Sequence, residues 1–171
     1  WSLGSARMWG VSPAAVADLR DQLLPKAAWV TPNLPEAALL LDRPIAAQPQ
    51  AMREAVVELA RRWDCGCVLK GGHALAGDEE IALDLVAHGG KVYRLVSPVV
   101  PDGAAHGTGC TFSAALAAAL ALRLPWREAL TSAKAFVYGS LVEAVCPGPD
   151  LEAMYPPARN YTREVALEPW P

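Results

Sequence analysis

Long apolar runs, basic blocks and paired cysteine motifs are all missing from this chain of 171 residues. Its longest apolar stretches, such as Phe112 to Leu122, are too short to cross a bilayer and lack the flanking charges of an anchor, so no membrane partner is expected. Fifteen basic against eighteen acidic residues leave a net charge of -3, with no block that could track a nucleic-acid backbone. No nucleic-acid partner is expected either. The four cysteines, Cys65, Cys67, Cys110 and Cys146, have no disulfide-framework spacing, and the opening has neither the charged nor the apolar region of a secretory signal. A reducing, cytoplasmic setting is the expectation. The opening "WSLGSARMWG" lacks an initiating methionine, which suggests that the chain begins inside a longer reading frame. No internal repeat is visible.

What remains is a globular composition, 53% hydrophobic and 19% charged, sized for one ordinary domain over residues 1–171. Ser12 caps and Pro13 opens a helix whose apolar face carries Val16, Leu19, Leu23 and Leu24 until Pro25 stops it. "AAWVTPN", Ala27 to Asn33, reads as a buried strand feeding a loop, followed by a short helix in "LPEAALLL". Met52, Val56, Leu59 and Trp63 then recur at helical spacing opposite Arg53, Glu54, Glu58 and Arg61, an amphipathic helix that covers a sheet. "CGCVLKGG" is a second buried strand, so helix and strand alternate as in parallel-sheet proteins. The two β-prone runs around Gly89-Gly90 form a hairpin, expected near a sheet edge. A helix from about Gly109 to Leu122 follows; Pro125 opens another, with Trp126, Leu130, Ala133, Val137, Leu141 and Val145 as its apolar stripe. The proline-rich tail 155–171 has no period and is expected to be irregular.

Three clusters carry candidate chemistry. In "HGTGC", His106 to Cys110, the glycines permit close backbone approach, and the next helix offers unpartnered amides and the positive end of its dipole to an anion. The competing reading is a tight turn with Thr108 as N-cap. Cys110 falls in the first turn, where the dipole favours a thiolate that could accept a proton; a small buried hydrophobe is the structural alternative. Asn33 and Glu36 bracket a turn after a strand, where an amide and a carboxylate could meet Mg2+, often through water. Glu36 could equally be a first-turn charge that complements the helix dipole. Lys70 ends the other buried strand and could reach phosphates across that edge, or could simply be solvated. Cys65 and Cys67 lack the second pair that zinc would need and read as core cysteines, and His88, beside the glycine turn, reads as exposed and silent.

Taken together, "TPNLPEA", "VLKGGH" and "HGTGCTFSAALAA" resemble the ribokinase superfamily, and within it the hydroxymethylpyrimidine/phosphomethylpyrimidine kinase branch, over about Pro13 to Val145. The resemblance implies a ribokinase-like three-layer αβα sandwich, mostly parallel, with an edge β-hairpin and an incomplete amino terminus. It implies ATP-dependent phosphorylation of hydroxymethylpyrimidine and then of its monophosphate, on the route to thiamine diphosphate, with ATP and Mg2+ as cofactors and a small-molecule pyrimidine as substrate. Under it, Gly107, Thr108, Gly109 and Cys110 match the anion hole, and Cys110 the position of the catalytic residue. Lys70 and Asn33 match nucleotide-binding positions, and Glu36 the position that holds Mg2+ through water. The family's first strands, its glycine-rich pyrimidine segment and an acidic strand end are not recognisable here. "WSLGSARMWG" would fall in a flap-like segment but matches the pattern poorly, and the tail beyond Pro147 matches none of it.

Other readings stay open at this level: a pyridoxal kinase of the same branch, a catalytically silent truncated nucleotide-binding module, and, with least support, a cysteine hydrolase, for which no histidine and acid are arranged. A homodimer is left open.

Overall fold

The computed structural model describes residues 12–71, 81–101, 107–148 and 151–170. The expectations for Trp1 to Gly10, Gly72, His73 and His106 lie outside these residues. The described residues fall into two compact units, one gathering the chain up to Gly71 with Asp84–Tyr93 and Trp170, the other Arg94–Pro169 with Ile81 to Leu83.

In the first unit, Ser12 caps helix α1 (Pro13–Asp18), its hydroxyl accepting from the Ala15 amide at 3.2 Å with Pro13 in the first turn. Past Asp18 the helix widens to a π turn over Leu19–Leu23 and tightens to a 3-10 turn over Leu24–Lys26. The extra residue in the wide turn shifts the stripe. Val16 and Leu24 are buried, but Leu23, expected on the apolar face, is 61% exposed. Strand β1 is short (Trp29–Val30) and leads to helices α2 (Leu34–Leu41) and α3 (Pro49–Trp63). The expected apolar face of α3 is observed: Met52, Val56 and Leu59 are wholly buried and Trp63 nearly so. Each such side chain contributes roughly 1.5–3 kcal/mol by leaving water. Trp63 also donates its indole N–H to the Arg20 carbonyl at 3.0 Å, tying the end of α3 to the π turn.

Strand β2 (Gly66–Lys70) lies parallel to β1, with Trp29 opposite Gly66 and Val30 opposite Cys67. Only glycine fits at position 66, because a Cβ there would overlap the Trp29 ring. That ring also stacks on His88, with centroids 5.0 Å apart and planes 23° from parallel. His88 is therefore a packed, half-buried residue and not an exposed one.

Strands β3 (Ile81–His88) and β4 (Lys91–Pro98) are joined by Gly89 and Gly90 at φ +58° and +73°, the two left-handed residues that a tight hairpin turn demands. In the second unit, α4 (Thr108–Ala121) and α5 (Trp126–Val142) pack on one another, burying Phe112, Leu116 and Ala119 of the first and Ala129, Leu130 and Ala133 of the second. The stripe stops short of Val145, which enters strand β5 (Val145–Gly148), paired antiparallel with β6 (Leu151–Ala153). Pro147 cannot continue a helix, so the chain extends there instead.

The tail is not irregular throughout. It forms a 3-10 turn over Thr162–Glu164 and strand β7 (Ala166–Pro169), and it is fastened to α5. Tyr161 is buried against Gly139, where a Cβ would meet Pro157 at 2.8 Å. Glu143 accepts from the Ala158 amide at 2.8 Å and the Tyr161 hydroxyl at 3.0 Å, and Tyr155 donates its amide to the Ser140 carbonyl at 3.1 Å. These bonds depend on residues far apart in sequence, which is why no local period announced them.

The five-stranded sheet runs in the order β1-β2-β3-β4-β7. The expectation of a mostly parallel sheet is corrected: β1 and β2 are parallel, but β2 and β3 are antiparallel, and a two-residue turn returns β4 beside β3 in the opposite direction. The hairpin is also internal to the sheet. The outer position is taken by β7, whose Pro169 is tolerated where no further strand needs its amide.

Candidate functional site

Asn33, Glu36 and Lys70 meet in the first unit. Asn33 is the N-cap of α2: its side-chain oxygen accepts from the Glu36 amide at 2.8 Å, and Glu36 Oε2 accepts from the Asn33 amide at 2.8 Å. This reciprocal capping box satisfies two amides that the helix cannot satisfy itself. The Lys70 amide donates to the Pro32 carbonyl at 2.9 Å, and an isolated parallel bridge aligns Asn33 with Lys70. The Lys70 ammonium then stands 4.0 Å from Glu36 Oε2. Glu36 is thus a first-turn residue that caps the helix, and its carboxylate also stands toward the lysine. The other carboxylate oxygen, Oε1, has no hydrogen-bond partner among the described residues.

Gly107, Thr108, Gly109 and Cys110 meet in the second unit. Gly107, not Thr108, is the N-cap of α4; it sits at φ +88°, and no side chain among the described residues caps the helix. The first helical amide bond runs from Thr111 to the Gly107 carbonyl at 2.9 Å, so the amides of Thr108, Gly109 and Cys110 precede the helical ladder. Cys110 is exposed, which sets aside the buried-hydrophobe reading. The amide-bearing terminus of a fourteen-residue helix with an exposed thiol in its first turn can hold an anion and face a second reactant. The two sets of residues belong to different compact units, and each stands here on its own geometry.

The other cysteines have no such setting. Cys67 is fully buried, and that burial, with Cys65 nearby, pushes its thiol well above the usual range. Burial and then Asp64 raise the Cys65 thiol as well. Among the described residues no group of three or more His, Cys, Asp or Glu side chains could hold a metal ion. A lone carboxylate such as Glu36 still fits Mg2+, which keeps most of its waters and takes further oxygens from substrate phosphates.

One residue of the first cluster escaped the sequence reading. Asp84 on β3 is only 5% exposed, lies opposite Lys70 in the β2–β3 register, and accepts from the Gly71 amide at 3.0 Å. A carboxylate in an otherwise apolar strand, "IALDLVAH", is the signal that could have found it, because charged groups are seldom buried without partners.

The fold is shared with solved small-molecule kinases. The pyridoxal kinase from Staphylococcus aureus in complex with ADP superposes with a TM-score of 0.81 at 29% identity, covering 93% of this chain and 58% of that one. The hydroxymethylpyrimidine/phosphomethylpyrimidine kinase of Escherichia coli is 42% identical over 135 residues, 78% of this chain and 49% of the relative. The thiamine biosynthesis bifunctional protein ThiED of Geobacter sulfurreducens is 40% identical over 131 residues, 77% of this chain and 26% of the relative. A family model described as phosphomethylpyrimidine kinase matches residues 10–154. The chain belongs to the phosphomethylpyrimidine kinase family. It spans about half the length of the E. coli relative. No helix among the described residues is long and apolar enough to cross a membrane.

Proposed function

We propose that this chain is the carboxyl-terminal, nucleotide-binding portion of an ATP-dependent kinase that phosphorylates hydroxymethylpyrimidine and then its monophosphate on the route to thiamine diphosphate. The reading is supported chiefly by the left-handed Gly107 turn that opens α4 three residues before an exposed Cys110. Membership of the family and the E. coli and G. sulfurreducens relatives support the substrate class. A three-layer αβα arrangement is part of the same reading.

Phosphoryl transfer asks mainly for positioning and charge stabilisation. The amides of Thr108, Gly109 and Cys110 hold the transferring phosphoryl group, and Lys70 meets the nucleotide phosphates. Asn33 fixes the turn that presents Glu36. Mg2+ bound through water at Glu36 would neutralise phosphate charge. Cys110 meets the primary alcohol, orienting it and receiving its proton as the oxygen forms its bond to phosphorus and ADP leaves.

The testing experiment is thermal unfolding with and without Mg2+ and ATP. At a ligand concentration a hundred times Kd, stabilisation of about 2.7 kcal/mol is expected, and a midpoint indifferent to nucleotide would count against the reading. The likeness to the S. aureus pyridoxal kinase supports a second reading, phosphorylation of pyridoxal. Side-by-side turnover of hydroxymethylpyrimidine and pyridoxal by the full-length protein separates the two.

A further inference from the structure

We infer that Asp84 is a positioning residue that acts on the nucleotide through Lys70. The inference rests on the kinase reading for the role of Lys70, and on geometry for the role of Asp84. Lys70 is the last residue of β2, so its side chain stands where sheet pairing stops and the chain leaves the strand. A strand end frays unless something beyond the ladder holds it. On one side, the Lys70 amide is held by the Pro32 carbonyl at 2.9 Å. On the other, Asp84 lies opposite Lys70 and reaches one residue further to accept the Gly71 amide at 3.0 Å. Lys70 is thus fixed from both neighbouring strands, and its ammonium is held 4.0 Å from Glu36 Oε2 instead of sweeping free in solvent.

Burial argues that this is more than a convenient strand residue. Asp84 is 5% exposed beside wholly buried Leu85 and Val86, and a serine or threonine could supply an acceptor there at a smaller desolvation cost. A carboxylate makes the stronger bond to an amide, and it places a negative charge in the strand that pairs with the lysine. Lys70, with its backbone fixed beside Asp84 and its ammonium facing the Glu36 carboxylate, is ready for phosphate before the nucleotide arrives, so less rotamer entropy is lost on binding.

The test is a double-mutant cycle read by ADP affinity, with unfolding midpoints measured on the same samples. Lys70→Met is expected to weaken ADP binding about tenfold, the scale of one charge-assisted contact. Asp84→Ala in the wild-type background is expected to weaken it about fivefold, but by less than about twofold when Lys70 is already Met, because coupled residues are non-additive. Asp84→Asn, which keeps an acceptor for the Gly71 amide but loses the charge, and which guards against misfolding of the alanine variant, is expected to fall between wild type and Asp84→Ala, with ADP binding weakened about twofold to threefold. Equal losses from Asp84→Ala in both backgrounds, or a lowered midpoint with unchanged ADP affinity, would reduce Asp84 to a structural residue and overturn the inference. A wild-type chain that binds no ADP would overturn the kinase reading itself, whereas binding that responds to Lys70→Met but not to Asp84→Ala would overturn this inference alone.

Discussion

Cys110 is the residue whose chemistry can be tested most directly. It is exposed and third in its helix, so a substitution there disturbs little packing. In the full-length protein, Cys110→Ala is expected to lower kcat for phosphorylation of the pyrimidine alcohol about a hundredfold, the lower end of what a positioned proton acceptor contributes. Affinity for a non-hydrolysable ATP analogue is expected to stay within about twofold, since the amides that meet phosphate belong to the backbone. Cys110→Ser should recover part of the loss if the side chain mainly orients the alcohol. Steady-state kinetics on the three proteins is the measurement, and an unchanged kcat for Cys110→Ala would remove the thiol from the chemistry. The other thiols contrast with it: Cys67, buried and pushed up by its surroundings, has neither access nor ionisation for such a role.

At the scale of elements, the start of α4 depends on one backbone conformation. Gly107 sits at φ +88°, where an L side chain is strained by about 1–2 kcal/mol. An added Cβ would also approach the Met154 methyl at 3.3 Å, a flexible neighbour that can give way. Gly107→Ala is therefore expected to lower the unfolding midpoint by a few degrees. It should weaken binding of a non-hydrolysable ATP analogue more than Lys70→Arg does, because it re-aims at once the three amides assigned to the transferring phosphoryl group. Calorimetric titration with the ATP analogue checks this, and affinity equal to wild type would mean that the turn is structural only. Elements of this kind were legible in the sequence where local periodicity decides them. The faces of α3 and the cap of α1 are cases, and the glycine pair of the hairpin is another. The π turn that rotates Leu23 outward was not legible, because a one-residue widening leaves no composition signature. The direction of β3 was misread as well: helix-strand alternation in the first half suggested a parallel sheet, but only the ten residues 71–80 separate β2 from β3, fewer than a parallel crossover takes.

At the scale of the whole molecule, the segment past the family match is the part that sequence reasoning could least foresee. Residues 155–170 lie beyond the matched 10–154, yet they are fastened to α5 by Glu143 and Tyr161 and wall a cavity of about 630 Å3 with Val96, Pro98 and Val99 through Arg163 and Val165. Glu143 is the fastening that pH can release. The Ala158 amide above all, opposed in part by desolvation, and then the Tyr161 hydroxyl and Arg159, hold its carboxyl below the usual range. A carboxyl held lower in the folded chain stabilises that state fully above its unfolded value, near pH 4.3, and the contribution fades as pH falls through the lower folded value. The unfolding midpoint of the wild type should therefore exceed that of Glu143→Gln at neutral pH. Below about pH 4.3 the two should converge, since protonation of the wild-type carboxyl removes what the substitution removed. Thermal unfolding of both proteins across pH 3–7 is the measurement. A difference that persists unchanged at the acid end would show that glutamine disturbs the tail through shape, and that the charge on Glu143 does not fasten it.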